Sequence, residues 1–103
     1  MNDLMRPALY GATHKTLPVL KSRKVSKKTY EFVGPICEST DKFLTTKTFQ
    51  TLNEKDLVII LDVGAYGMSL SSNYNLRPKA LELLIKKSKI QIINRRQNLR
   101  DLI

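Results

Sequence analysis

The apolar run Leu57-Val58-Ile59-Ile60-Leu61, which ends at Asp62-Val63-Gly64, is the strongest strand signal in the chain. β-Branched residues occupy its centre, and they favour the extended conformation. A continuous apolar run, unlike an alternating one, indicates a strand that is buried on both faces. The run is far shorter than the about 20 apolar residues that a membrane-spanning helix requires. It therefore predicts a strand that is buried on both faces, and no membrane span.

Weaker strand signals lie on both sides of this run. Extended segments are predicted at 15–21, where Pro18 indicates an edge position, at 27–33, at 43–49, and in a hairpin over 79–96 with Lys87-Ser88 as its turn. Short helical pieces are predicted near both ends: the first has two or three turns, with Asn2 and Asp3 as caps and Gly11 at its end, and the second covers 98–103. The sum is a mainly β fold, sandwich or barrel-like, with short helices.

The chain of 103 residues is long enough for one domain at most, and its 42% hydrophobic and 26% charged residues are typical of a globular protein. Cys37 is the only cysteine, which excludes an internal disulfide, and no cluster of Cys and His residues predicts a metal site. The first residues lack the apolar stretch of a secretory signal. We therefore expect a reducing, cytoplasmic location.

The formal net charge of +9 would favour an anionic partner such as nucleic acid, a membrane surface or an acidic protein. The basic residues form two loose groups, which are Lys21, Arg23, Lys24, Lys27 and Lys28, and Lys86, Lys87, Lys89, Arg95, Arg96 and Arg100. Neither is an uninterrupted block, and scattered surface lysines mostly serve solubility. Nucleic acid is therefore not the expected partner, and a freestanding basic β module that binds nucleic acid or an acidic partner is kept as the alternative function.

The octapeptide Gly34-Pro35-Ile36-Cys37-Glu38-Ser39-Thr40-Asp41 is the most unusual in the chain. A strand that runs into Gly-Pro predicts a sharp turn, which presents a thiol and two carboxylates beyond the end of the sheet. Free cysteine is, however, among the residue types that are most often buried. From the residues alone, Cys37 is interpreted as a small buried hydrophobic residue.

Two further groups of polar residues are candidates for ligand binding. Arg6 and Tyr10 lie four residues apart on the first helix, where a guanidinium and a phenol could converge on one carboxylate or simply form a surface pair. Tyr66 lies between Gly64 and Gly67, where its phenol and exposed loop amides could bind an anion. His14 has no nucleophile at a catalytic spacing, which indicates a structural or solvated position.

Together these stretches resemble the C-terminal part of the diaminopimelate decarboxylases, which are pyridoxal-phosphate enzymes of lysine biosynthesis. The matching segments are M-N-D-L-M-R-P-A-L-Y-G-A-T-H at 1–14, F-V-G-P-I-C-E-S-T-D at 32–41 and L-D-V-G-A-Y-G-M-S-L-S-S-N-Y-N-L-R-P at 61–78, and the resemblance extends through the terminal hairpin. Glu38 favours this branch, because the ornithine decarboxylases generally carry Asp after the cysteine. Thr40 and Val63 replace residues that are more common in the family, and both replacements should be tolerated.

The resemblance implies a homodimer in which each subunit combines a (β/α)₈ barrel, which holds pyridoxal phosphate, with a C-terminal β domain. The fold class expected for this chain is that mainly β C-terminal domain of the alanine racemase-like decarboxylases, without the barrel. Residues 1–14 would be the remnant of the connection between barrel and β domain, including the short helix, and residues 15–103 would be the β domain itself.

By motif, the resemblance also implies roles for five residues. Arg6, Tyr10 and Glu38 would bind substrate, Tyr66 would lie near the cofactor phosphate, and Cys37 would be catalytic. Glu38 would bind the distal ammonium of the substrate, and the Cys37 thiol would assist protonation of the carbanion-like intermediate. Both residues would be inserted into the active site of the neighbouring subunit.

In this family the barrel, with its Schiff-base lysine, phosphate loop and ring-stacking histidine, precedes the stretch that begins here at Met1. No lysine of the chain lies in a context that resembles the Schiff-base motif. We therefore expect a C-terminal fragment of a diaminopimelate decarboxylase, an enzyme that forms L-lysine and CO₂ from meso-diaminopimelate. The fragment should be inactive and unable to hold pyridoxal phosphate alone, and its expected partner is an N-terminal barrel piece or a second subunit.

Overall fold

The computed structural model describes residues 1–21 and 24–103, so Arg23 of the first basic group lies outside the described residues. Within that part the fold is mainly β, as predicted. The elements are helix α1 (Pro7–Tyr10), strands β1 (Thr16–Pro18), β2 (Tyr30–Val33), β3 (Lys42–Thr46), β4 (Val58–Ile60), β5 (Glu82–Lys86) and β6 (Lys89–Asn94), and 3-10 helices at Tyr74–Leu76 and Leu99–Leu102. The predicted strands are therefore present, although most are shorter than their sequence signals.

The strands pair as three antiparallel ladders, β1 with β4, β2 with β3, and β5 with β6. In β2 the predicted alternation is confirmed, because Tyr30 and Phe32 are half-buried while the residues between and after them are exposed. The ring of Phe49, which is buried, meets Phe32 at 5.0 Å and Tyr30 at 6.4 Å between centroids, both in edge-on geometry. The half-buried aromatic side chains of β2 therefore pack against the buried ring of Phe49.

Helix α1 is a single turn, so the prediction of two or three turns is wrong. Pro7 occupies its first position, where the missing N–H costs nothing, and the N-cap is Arg6, which makes no side-chain capping bond. Gly11 ends the helix as predicted, with a left-handed φ of 65° and its N–H donating to the carbonyl of Pro7. Asn2 does not cap this helix, because its side chain is hydrogen-bonded to Glu38 and Thr40. None of the helices in the described ranges is long and apolar enough to cross a membrane.

Strand β4 is not buried on both faces, which corrects the prediction made from its apolar run. The side chains of Leu57 and Ile59 are 70% and 43% exposed. In the described part of the chain, β4 pairs only with the three-residue strand β1, and an apolar cleft of about 620 Å³ runs along it towards β5. The composition of the run correctly predicted a strand. The burial of its side chains depends on which other parts of the protein cover the strand.

The C-terminal hairpin is formed as predicted. Lys87 and Ser88 make its two-residue turn with φ values of 46° and 64°, and positive φ at both positions gives the strand twist that a tight hairpin requires. The predicted terminal helical turn is also present and begins with a capping box between Asn98 and Asp101. Both features arise from local sequence, which explains why they could be predicted.

Candidate active site

The loop at 34–41 is tied at its base by Asp41. The N–H of Gly34 donates to the carbonyl of Asp41, and the buried carboxylate of Asp41 accepts the N–H of Ile36 at 2.9 Å. A Cβ on Gly34 would overlap that carboxylate, so only glycine fits the closure of the loop. Ile36 points into the core, whereas Cys37 is exposed, so the interpretation of Cys37 as a buried hydrophobic residue is wrong.

Glu38 accepts a hydrogen bond on each of its carboxylate oxygens. The hydroxyl of Tyr74 donates to Oε1 at 2.6 Å, and Nδ2 of Asn2 donates to Oε2 at 2.6 Å. These contacts lower the pKa of Glu38, mainly through the Tyr74 hydroxyl and next through Asn2. The side chain of Glu38 stays 30% exposed, so an ionised carboxylate is presented to an incoming group.

Arg6 places a cation beside this carboxylate. Its Nη2 lies 3.8 Å from Oε2 of Glu38, and its guanidinium carbon lies 5.7 Å from the centre of the Tyr74 ring. Its Nε donates weakly to the backbone carbonyl of Asn2 at 3.4 Å. The fold thus brings Arg6 and Glu38, two of the predicted site residues, together within one chain.

Tyr10 belongs to a second cluster. Its ring stacks on Tyr66 with centroids 4.1 Å apart and planes 10° from parallel, and its hydroxyl lies 2.7 Å from Nε2 of His14. Burial raises the pKa of Tyr10, and the neighbouring Tyr66 adds to the rise. Tyr10 and Arg6 therefore have different polar partners, and the structure does not direct both groups at one carboxylate within the chain. The ring of Tyr10 instead contacts that of Tyr66, another of the five predicted site residues.

The hydroxyl of Tyr66 is accessible to a ligand. Its side chain is 42% exposed, and no hydrogen bond occupies its hydroxyl within residues 1–21 and 24–103. The loop amides of Tyr66 and Gly67 both donate to the carbonyl of Val63, at 3.1 and 2.6 Å, so they are not open to an anion as the sequence suggested. Of the groups that the sequence suggested for an anion, the loop therefore leaves the Tyr66 hydroxyl accessible, while these two amides are occupied.

Asn2 and Tyr74 are functional candidates that the sequence reasoning missed. Each lies 36 residues from Glu38, one before and one after it, so no local spacing could relate them. The available signal was an aromatic residue inside the polar stretch Asn73-Tyr74-Asn75. His14 is buried and doubly hydrogen-bonded, which agrees with the predicted structural role.

The site also matches known proteins in sequence. Residues 1–64, more than half of the chain, match the sequence model described as the C-terminal sheet domain of the pyridoxal-dependent decarboxylases. The chain belongs to this decarboxylase family. A diaminopimelate decarboxylase of Helicobacter pylori is 43% identical over 102 residues, and one of Vibrio cholerae is 42% identical over 102 residues. These matches cover 99% of this decarboxylase-family chain but only 25% and 24% of the two relatives, so the chain spans about a quarter of their length.

Solved structures of the family give the same result. The diaminopimelate decarboxylase of H. pylori in complex with L-lysine superposes with a TM-score of 0.85 at 44% identity, over 99% of this chain and 25% of that one. The enzyme of M. jannaschii in complex with L-lysine gives a TM-score of 0.88 at 34% identity, over 99% and 23%. The fold of this decarboxylase domain is therefore that of the C-terminal quarter of diaminopimelate decarboxylases.

Proposed function

We propose that this chain forms the β-domain side of the active site of a diaminopimelate decarboxylase, which converts meso-diaminopimelate to L-lysine and CO₂. The observation that carries the proposal is the ionised, hydrogen-bonded carboxylate of Glu38 beside the guanidinium of Arg6. A substrate with an ammonium and a carboxylate at its distal end needs one group of each sign, and this pair offers both. The L-lysine bound in two of the related structures has such an ammonium.

In this proposal the residues divide the work. Glu38 binds the distal ammonium and sets the accepted substrate length, while Arg6 and Tyr10 contact the polar groups of the substrate. The exposed Cys37 thiol, next to Glu38, supplies a proton to the carbon that loses its carboxylate. The Tyr66 hydroxyl donates a hydrogen bond to the phosphate of pyridoxal phosphate, which when bound supplies an electron sink for the decarboxylation.

The proposal includes a division of the polypeptide and a partner. Residues 1–14, which carry α1, connect a barrel to the β domain at 15–103, and the barrel brings the lysine that holds the cofactor. Two copies then associate so that Cys37 and Glu38 reach the site of the neighbouring subunit. On this basis the 103 residues alone do not decarboxylate meso-diaminopimelate.

A chimera tests the proposal. The C-terminal quarter of the H. pylori enzyme, which matches this chain over 102 residues, is replaced by this chain, and CO₂ release from meso-diaminopimelate is measured. We expect an active chimera, and we expect Glu38→Gln to lower kcat/KM about 10- to 100-fold, because an ammonium loses its charged partner.

The matched control is Glu31→Gln. Glu31 is an exposed carboxylate paired with Lys42 on the β2–β3 ladder, so its loss should change kcat/KM by less than about twofold. A chimera that is folded, binds pyridoxal phosphate and decarboxylates the substrate equally well with Glu38→Gln and Glu31→Gln would contradict the role of Glu38. A folded, cofactor-bound chimera without activity would contradict the proposed function.

A further inference from the structure

We propose that Tyr74 is a positioning residue for Glu38, which together with Asn2 holds the carboxylate in one orientation for an ammonium group. This inference rests on the proposed function and adds to it two residues outside the predicted site.

Each oxygen of the Glu38 carboxylate accepts one hydrogen bond. Tyr74 donates to Oε1 and Asn2 donates to Oε2, each at 2.6 Å. Two donors on opposite oxygens prevent rotation of the carboxylate about its terminal bond. An ionised carboxylate has about four acceptor positions, so about two remain for a ligand ammonium. The orientation of the carboxylate is thus fixed, while acceptor positions remain free for a ligand.

The loop that carries Tyr74 is fastened to the segment that carries Asn2. On one side of Tyr74, the N–H of Ser72 donates to the carbonyl of Asp3 at 2.8 Å. On the other side, Nε of Arg77 donates to the carboxylate of Asp3 at 2.9 Å. Asp3 follows Asn2 directly, so both donors to Glu38 are held by one short stretch of chain.

The backbone after Tyr74 is held in an uncommon conformation. Asn75 and Leu76 have left-handed φ values of 58° and 54°. Asparagine tolerates this region, but a branched side chain such as leucine rarely adopts it, and such strain persists where the surrounding contacts impose it. The contacts of Asp3 on both sides provide that constraint, and the result is the direction in which Tyr74 meets Glu38.

Other charged and titratable groups also face the pair. They are the guanidinium of Arg6, the terminal amino group and the thiol of Cys37. Tyr74→Phe keeps the ring under Arg6 and leaves all three groups in place. A change in the titration of Glu38 in this variant therefore reports the lost hydroxyl.

The first test is the titration of Glu38, followed by NMR of its carboxyl carbon in the full chain. Tyr74→Phe should raise the pKa of Glu38 towards the ordinary value for glutamate, because the donor that stabilises the ionised form is gone. The matched control is Tyr30→Phe, which removes a hydroxyl that accepts the N–H of Leu52, away from Glu38. A Glu38 pKa that is unchanged in Tyr74→Phe, or raised equally in Tyr30→Phe, would overturn the proposal.

A reciprocal measurement does not depend on the folding of Tyr74→Phe. The Glu38 carboxylate raises the pKa of the Tyr74 phenol, so Glu38→Gln should lower the midpoint of one tyrosine in an ultraviolet titration. Glu31→Gln should leave all the tyrosine midpoints unchanged. Equal tyrosine titrations in Glu38→Gln and the unmodified chain would contradict the contact.

The activity test uses the chimera described above. Tyr74→Phe should leave the Glu38 carboxylate less firmly oriented, and KM for meso-diaminopimelate should therefore rise about three- to tenfold, with kcat changed less than about twofold. Tyr30→Phe should change neither KM nor kcat. Unchanged KM in Tyr74→Phe would refute the positioning role. An inactive chimera would contradict the proposed function alone, since the NMR titration still decides the role of Tyr74.

Discussion

The hydroxyl of Tyr10 lies 2.7 Å from Nε2 of His14, on an imidazole whose Nδ1 lies 3.0 Å from the carbonyl oxygen of Leu61. A carbonyl can only accept, and a neutral imidazole has one N–H. Nδ1 therefore carries the proton, and Nε2 accepts the proton of the Tyr10 hydroxyl. With a neutral His14, the Tyr10 oxygen keeps lone pairs for a ligand donor but has no proton to offer a carboxylate.

The buried imidazole of His14 should contribute strongly to stability. His14→Ala leaves the Leu61 carbonyl and the Tyr10 hydroxyl without their partner and creates a cavity, so we expect a loss of about 2–4 kcal/mol in the free energy of unfolding. His14→Asn can still donate to Leu61 and should lose about half as much. Urea unfolding measures both variants, and a His14→Ala variant within about 0.5 kcal/mol of the unmodified chain would contradict the prediction.

The loop that presents Cys37 and Glu38 should depend on Asp41. Asp41→Ala removes the acceptor of the Ile36 N–H, so the Ile36 amide should exchange its hydrogen with water about 10-fold faster or more. The free energy of unfolding should fall by about 1–3 kcal/mol. Hydrogen exchange followed by NMR gives both results. Glu31→Ala, which removes an exposed ion pair with Lys42, is the control and should leave that amide unchanged. Equal exchange in the two variants would contradict the role of Asp41.

The sequence predicted those features that arise from neighbouring residues. The hairpin followed from alternation on both sides of Lys87-Ser88, and the end of α1 followed from Gly11. The burial of Leu57 and Ile59 could not be predicted, because apolar composition reports what a strand can bury and not what covers it. The same limit applies to Cys37, whose exposure is set by the closure of its loop on Asp41.

The candidate site was predicted in part for a similar reason. The motif resemblance selected Arg6 and Glu38, and the fold places them 3.8 Å apart. The donors that fix Glu38 are separated from it by 36 residues on either side, and contacts at that distance along the chain leave no pattern in one sequence. Helical spacing left open whether Tyr10 and Arg6 converge on one carboxylate or form a surface pair, and the resemblance implied that both bind substrate. Helix α1 ends after one turn, and Tyr10 contacts His14 and Tyr66 instead.

The C-terminal turn should be sensitive to acid. Arg95 donates two hydrogen bonds to the carboxylate of Asp101, at 2.7 and 2.8 Å, and these contacts, with the N–H of Asn98, lower the pKa of Asp101 from 3.8 to about 2. Because the folded pKa is depressed, this carboxylate stabilises the turn above pH 3.8, and its contribution is lost as the pH falls through about 2.

The contact between Arg95 and Asp101 can be tested with Arg96, the next residue, as the control. Arg95→Gln should raise the pKa of Asp101 towards 3.8, whereas Arg96→Gln, which removes the same charge one residue later, should have little effect. NMR titration of the Asp101 carboxyl carbon distinguishes the two variants. Equal shifts would mean that general charge, and not the paired hydrogen bonds, sets the pKa.

The β5–β6 hairpin should make the chain self-associate when it is studied alone. Leu83 and Ile85 lie opposite Ile92 and Ile90 in the register, so all four share one face of the hairpin, and Ile85, Ile90 and Ile92 are each more than 60% exposed. Such an apolar face and its unpaired strand edges favour association. The net charge of +9 opposes it, but screening over about 8 Å at physiological salt weakens that repulsion. Sedimentation velocity should therefore reveal oligomers that increase with protein and salt concentration.

A pair of charge substitutions separates the apolar face from the net charge. Ile85→Lys interrupts the face and should shift the protein towards monomer by about 10-fold or more in the association constant, since it removes about 2 kcal/mol of apolar burial. Gln91→Lys adds the same charge on the opposite face of the hairpin and should have a much smaller effect. If both variants weaken association equally, repulsion alone explains it. High salt screens the charge repulsion and so most favours burial of the exposed isoleucines. If the unmodified chain stays monomeric at high salt, this face does not drive association.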